Sequence, residues 1–250
     1  MAGRASEDFV ALDPTAVALL LDIDGTLIDI GPSPFEVHVP DDLRRSLKRL
    51  FARTNGALAL VSGRPIRDID TLFSPLKLPA IGGHGAEMRL REEITARATP
   101  LPQEMRQQLR LAVPPDAGVV TEDKGYSVAL HYRKSPSQES NLHDAIAQVC
   151  ADFPREAVEV LRGKAMFEVK RPGISKGQAV SELMTYPPFA DRQPIFIGDD
   201  VTDESVFAAL PRLAGKGYSV GRPFRDVAAV FATPREVREA LDNLAAKGRE

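Results

Sequence analysis

Leu19-Leu20-Leu21-Asp22-Ile23-Asp24-Gly25-Thr26-Leu27 is the stretch from which the rest of the chain is read. An apolar run breaks off into two carboxylates two residues apart, followed by a glycine and a hydroxyl. Continuous apolar sequence marks a parallel strand covered on both faces. The acids fall at its carboxyl end, where open α/β sheets place their ligands. Gly25 allows a sharp turn, and Thr26 brings a hydroxyl close to both acids. Asp-Gly is also a common hairpin turn, but here the pair directly follows a fully apolar strand. That order favours chemistry: a nucleophilic Asp22 attacking a phosphate, with a metal ion screening both acids. Without such a charge, two neighbouring carboxylates raise one another's pKa.

The rest of the chain narrows the setting. The 250 residues are 43% hydrophobic and 27% charged, which is ordinary for a globular protein of one large domain or two modest ones. A net charge of -3 with interspersed signs gives no basic footprint for nucleic acid. No apolar run approaches the ~20 residues that span a membrane, and residues 1–13 lack the apolar core of a signal peptide. The single cysteine, Cys150, excludes an internal disulfide and sits at an apolar helical position. A cytoplasmic protein is expected.

Outward from the opening strand, Leu43, Leu47, Leu50 and Phe51 recur at helical spacing behind Asp41 and Asp42, acids suited to a helix N-terminus. Ala57 to Val61 reads as a second buried strand. It ends in Ser62-Gly63-Arg64-Pro65, and Ile66, Ile69, Leu72 and Phe73 follow at helical spacing. Pro65 suits the first helical position, and the amides after Ser62 would form an anion site at that helix N-terminus. A plain strand-to-helix turn with a capping serine fits the same residues. Further on, Ser175 and Gln178 have capping-box spacing at the start of a helix. Lys176 in that first turn opposes the helix dipole, so a nearby anion would explain it. A surface lysine is the ordinary alternative. Pro194 to Ile197 reads as another buried strand, ending in Gly198-Asp199-Asp200-Val201-Thr202-Asp203-Glu204. Hard oxygen ligands after a strand suit magnesium, although an acidic surface loop would look the same.

Between these core segments the pattern changes. From about Pro100 the order is helix, strand, strand, helix, strand, strand. The strands fall near Gly118–Val120, Tyr126–Tyr132, Ala157–Leu161 and Ala165–Val169. Such a unit packs two helices on one face of an antiparallel sheet. Alternation puts Val128, Leu130 and Tyr132 on one face and His131 and Arg133 on the other. It likewise separates Phe167 and Val169 from Met166, Glu168 and Lys170. The polar face can meet solvent or an active-site cleft.

These motifs, in this order, resemble those of the haloacid dehalogenase superfamily of aspartate phosphatases. Gly82-Gly83-His84-Gly85-Ala86, Glu122-Asp123-Lys124-Gly125, Glu168-Val169-Lys170-Arg171-Pro172 and Gly198 to Glu204 resemble segments of its trehalose-6-phosphate phosphatases. The resemblance implies a fold: an α/β, Rossmann-like parallel-sheet core, residues 1–98 and 172–250, with a smaller α+β cap domain inserted over residues 99–171. It implies a magnesium-dependent hydrolysis of trehalose 6-phosphate through an aspartyl-phosphate. Asp22 would be the nucleophile, Asp24 the acid and base, and Lys176 the balancing cation. Thr26, Ser62, Gly63 and Arg64 would bind phosphate. Asp22, Asp24 (through its carbonyl), Asp199, Asp200 and Asp203 would surround the metal. Glu122, Lys124, His131, Arg133, Lys164 and Glu168 would bind the sugar. Coupling to a trehalose-6-phosphate synthase is implied as well. A phosphatase for sucrose phosphate or mannosyl-phosphoglycerate, or a non-catalytic sugar-phosphate binding module, are the alternatives.

Overall fold

A computed structural model describes residues 2–31, 36–114, 116–163 and 165–247. The chain forms two compact units, residues 1–95 with 175–250, and residues 96–174.

The first unit is built around β1 (Val17–Leu21), in which every residue is buried. In chain order it is preceded by α1 (Ala2–Val10) and followed by α2 (Asp41–Arg53), β2 (Leu58–Val61), α3 (Ile66–Phe73), β3 (Ala80–Gly82), β4 (Glu87–Arg89) and β5 (Ile94–Ala96). After the second unit, with its α4 (Gln103–Leu111), β6 (Val120–Asp123), β7 (Ser127–His131), α5 (Glu139–Asp152), β8 (Glu159–Gly163) and β9 (Met166–Lys170), the first unit resumes. It continues through α6 (Lys176–Leu183), β10 (Gln193–Gly198), α7 (Glu204–Phe207), β11 (Lys216–Val220), β12 (Ala229–Phe231) and α8 (Pro234–Ala246). The sheet order is β12-β11-β10-β1-β2-β3-β4-β5, with β12 through β3 parallel and β4 antiparallel to β3.

Alternation along β1 explains why its run is uniformly apolar. Leu19 and Leu21 pack into a cluster with Phe9 of α1, Leu43 and Leu47 of α2, and Leu241 and Leu244 of α8. Ala18 and Leu20 pack on the other side with Val180 and Leu183 of α6 and Phe207 of α7. Both faces are covered, so neither can be polar. The register also levels the strand ends. Leu21 lies opposite both Leu60 and Ile197, so Asp22, Ser62 and Asp199 leave the sheet at one edge.

The second unit is a four-stranded antiparallel sheet, β6-β7-β9-β8. Met105 and Leu109 of α4, with Leu142, Ile146 and Val149 of α5, pack on Val128, Leu130, Phe167 and Val169. Its first strand begins two residues later than the sequence pattern suggests. Gly118 stands at φ +66°, so it turns the chain rather than extending it. Pro65 is also displaced by one position: it is the N-cap of α3. Lys164 lies outside the described residues. Among the described residues, no helix is long and apolar enough to cross a membrane.

Candidate active site

The chain after β1 makes a tight loop. Gly25 N–H donates to the Ile28 carbonyl at 2.8 Å, and the N–H groups of Thr26, Leu27 and Ile28 converge on the Ile23 carbonyl. Gly25 has φ +85°, and a Cβ there would stand 2.2 Å from Asp199 Oδ2. Glycine is therefore required twice, for the backbone conformation and for the approach of Asp199.

Asp22 is 4% exposed. Lys176, the first residue of α6, donates from Nζ to Asp22 Oδ1 and to Asp203 Oδ1, each at 2.7 Å. The Ser175 hydroxyl accepts from Gln178 N–H at 3.2 Å, capping the helix that presents Lys176. Asp203, fully buried, accepts through Oδ2 from the N–H groups of Asp199 and Asp200 at 2.9 and 3.1 Å. The Asp200 side chain accepts in turn from the Asp203 N–H, completing a capping box. Ligand oxygens of Asp22, Asp199 and Asp203 lie within 4.8 Å of one another, a group able to hold a metal ion among the described residues.

The charges in this group are unbalanced. Burial pushes the Asp22 carboxyl well above its ordinary range; Lys176 opposes the shift, and Asp203 and Asp199 add to it. Asp199 is pushed up to about 7 by burial and then by Asp203 and Asp200. Burial works against the Lys176 ammonium, but Asp203 and Asp22 outweigh it and raise its pKa. One buried cation thus faces several carboxylates. A second, hard cation fits this oxygen-only set.

The remaining expected residues are placed as follows. Arg64 grips Asp24 bidentately, Nε and Nη2 each 2.7 Å from a carboxylate oxygen. Arg64 was expected to bind phosphate; here its guanidinium is forked onto the neighbouring acid. Ser62 Oγ accepts from Arg64 N–H at 3.1 Å. Thr26 is buried, its hydroxyl 3.4 Å from Asp199 Oδ1. A Cβ on Gly63 would stand 2.4 Å from the His84 ring, so the glycine makes room for that ring. At the N-terminus of α3 the first amide is taken by a side-chain carboxylate, since Ile66 N–H donates to Glu87 Oε2 at 2.8 Å. Glu87 was not singled out from sequence, and nothing local marks it as the partner of a helix twenty residues earlier.

In the second unit, Glu122, Lys124, His131 and Glu168 come together on the sheet face away from its helices. Register places Glu122, Ala129 and Glu168 in one row. Lys124 Nζ donates to Glu168 Oε1 at 3.1 Å and lies 3.7 Å from Glu122 Oε2. His131 Nε2 is 3.2 Å from the same Glu122 oxygen. Burial raises the Glu122 pKa, but Lys124 and His131 prevail and hold it below the ordinary range. Ser127 donates to Glu168 Oε1 at 2.6 Å. It went unremarked in the sequence, although it lies two residues from Ala129 and four from His131, on the same strand face. Arg133 lies in an exposed turn beyond β7.

The family profile for trehalose-phosphatase matches residues 20–239. A trehalose-6-phosphate phosphatase of Escherichia coli is 38% identical over 207 residues, 82% of this chain and 77% of that one. A probable trehalose-phosphate phosphatase of Sinorhizobium fredii is 40% identical over 223 residues, 87% of this chain and 83% of its own. Among solved structures, the C-terminal domain of the C. albicans trehalose-6-phosphate phosphatase superposes with a TM-score of 0.80. It covers 96% of each chain at 21% identity.

Proposed function

The chain belongs to the trehalose-phosphatase family, and from that membership we propose that it hydrolyses trehalose 6-phosphate to trehalose and phosphate through an aspartyl-phosphate on Asp22. The observation that carries the chemistry is the Asp22–Lys176–Asp203 chain of 2.7 Å contacts. A nucleophilic carboxylate must be ionised, and burial alone would protonate it. Lys176 donates to one oxygen, which favours the ionised form and orients the group, while Asp203 fixes Lys176 in turn. Asp22 attacks phosphorus and the P–O bond to the sugar breaks. Asp24 supplies the proton to the leaving oxygen and then takes one from the water that cleaves the acyl-phosphate. The Arg64 fork engages both Asp24 oxygens and favours its ionised form, so Asp24 would have to loosen that contact to carry the proton for the leaving oxygen. Ser62 and Thr26 carry the hydroxyls for phosphate oxygens.

Magnesium is part of the proposal. Asp22 and Asp199 would hold it, with the Asp24 carbonyl, Asp200 and Asp203 around it, and when bound it would screen the phosphate's negative charge. Residues 99–171 are proposed as the cap domain, with Glu122, Lys124, His131 and Glu168 reading sugar hydroxyls. Arg133 and Lys164, the latter outside the described residues, belong to the same proposal as substrate-binding residues. The enzyme is placed in the cytoplasm, consuming the product of a trehalose-6-phosphate synthase.

The test is phosphate release from trehalose 6-phosphate beside glucose 6-phosphate and sucrose 6-phosphate, for wild type and Asp22→Asn. Turnover of the trehalose ester should exceed the others, and Asp22→Asn should fold but release no phosphate. Equal rates on all three esters would reject the substrate assignment, and wild-type rates in the variant would reject the nucleophile.

A further inference from the structure

Strand β6 carries a charged residue on the side where its sheet is apolar. Asp123 pairs with Val128 across the β6–β7 ladder, and Val128 packs with Leu130 and Val169 beneath α4 and α5. A carboxylate beside a helix-covered face loses hydration and needs charged donors. Helix α4 supplies them. Arg106 Nη1 donates to Oδ1 and Oδ2 of Asp123 at 3.0 and 2.9 Å, and Arg110 Nη1 donates to Oδ2 at 2.9 Å.

The same carboxylate shapes the β6–β7 turn. Gly125 N–H donates to Asp123 Oδ1 at 2.9 Å, and Lys124 N–H donates to the Ser127 carbonyl at 2.9 Å. The Gly125 carbonyl accepts from Leu101 N–H at 3.0 Å, and the Leu101 carbonyl accepts from Arg106 Nε at 3.1 Å. Helix α4 and the residues leading into it therefore hold the turn through both its side chain and its backbone. The turn delivers two donors to one acceptor: Lys124 Nζ and Ser127 Oγ meet at Glu168 Oε1, 3.1 and 2.6 Å away.

We propose that Asp123, clamped by Arg106 and Arg110, is a positioning residue for substrate selectivity, fixing the turn from which Lys124 and Ser127 orient the Glu168 carboxylate. The inference rests on the reading that Glu168 and Lys124 recognise sugar hydroxyls. A turn set before binding spares the complex the cost of ordering it. Loosening the turn therefore weakens binding of the sugar ester and leaves phosphoryl transfer alone.

The experiment measures kcat and KM of Asp123→Ala, Asp123→Asn and Arg106→Gln on trehalose 6-phosphate and on p-nitrophenyl phosphate. Amide exchange at Gly125 is followed alongside. Asp123→Ala should raise KM for the sugar ester on the order of 10-fold, with kcat and the aryl phosphate rate within about twofold of wild type. Its Gly125 amide should exchange faster. Asp123→Asn keeps an oxygen for that amide and should recover most of the loss, while Arg106→Gln should raise KM without touching Asp123. Glu168→Ala serves as the control. If it leaves kcat/KM for trehalose 6-phosphate intact, the sugar-site reading fails and takes the inference with it. If Glu168→Ala impairs the sugar ester, the positioning role is overturned by any of three results: an unchanged KM in Asp123→Ala and Arg106→Gln, an equal loss on both substrates, or no recovery in Asp123→Asn.

Discussion

Replacing Lys176 with methionine removes the side-chain cation that, among the described residues, pairs with both Asp22 and Asp203, whose side chains are 5% and 0% exposed. The substitution keeps the length and apolar stem of the side chain, so its effect is on charge. Breaking a buried ion pair by deleting one partner costs about 3–5 kcal/mol. For a chain of this size that corresponds to a fall in Tm of roughly 6–20 °C in the metal-free protein. The loss should depend on pH. Burial already raises the Asp22 carboxyl, and Lys176 is the main opposing influence. Without the ammonium, Asp22 goes higher still. A carboxyl raised in the folded state costs stability that grows as pH climbs from its unfolded value through its folded one. The deficit of the variant should therefore be smaller at about pH 5.5 than at about pH 8.5. Lys176 does not blur the comparison, because Asp203 and Asp22 raise its pKa despite burial. Its contribution is fully present below its unfolded value and is lost only above that range. Thermal melts of both proteins in excess chelator, followed by circular dichroism at the two pH values, provide the measurement. A difference below about 2 °C at both, or a deficit independent of pH, would refute the account.

Magnesium should raise the melting temperature more at about pH 8 than at about pH 6, because Asp199, pushed up to about 7 by burial and its acidic neighbours, must be ionised to bind a cation. Equal stabilisation at both pH values would show that Asp199 is not a ligand. Gly25→Ala should weaken that metal response and lower stability by about 1–3 kcal/mol, since the added methyl meets Asp199 Oδ2 at 2.2 Å and φ is +85°. A variant indistinguishable from wild type in chemical denaturation and metal titration would disprove it. Glu168→Ala should cut kcat/KM for trehalose 6-phosphate on the order of 100-fold, a far larger loss than on an aryl phosphate. Parallel losses on the two substrates would make Glu168 structural or catalytic instead of a sugar reader.

Residues whose role is set within a few positions were legible before the structure. The apolar run into Asp22, the Ser175–Gln178 cap under Lys176 and the acidic run after β10 each announce themselves locally. Parity along a strand carried further, separating Glu168 and His131 from Phe167 and Leu130, and it would have added Ser127. Partnerships across the fold are not legible from spacing: the family resemblance alone offered Lys176 as the cation for Asp22, and nothing paired Arg64 with Asp24. Arg64 and Asp24 are forty residues apart, Lys176 and Asp22 one hundred and fifty-four. The two cases came out differently for a physical reason. The helix carrying Lys176 starts at the edge where β1 ends, and its buried ammonium pairs there with the Asp22 and Asp203 carboxylates. Arg64 sits at the same edge with donors spread over a planar fork, which matches a phosphate and a carboxylate equally well. Its residue type could not choose between them, and only the folded chain shows Asp24 within 2.7 Å of two guanidinium donors. A residue that fits either anion can also exchange one for the other. If Asp24 turns to the leaving group as proposed, the fork that engages it here would meet a phosphate oxygen in its place.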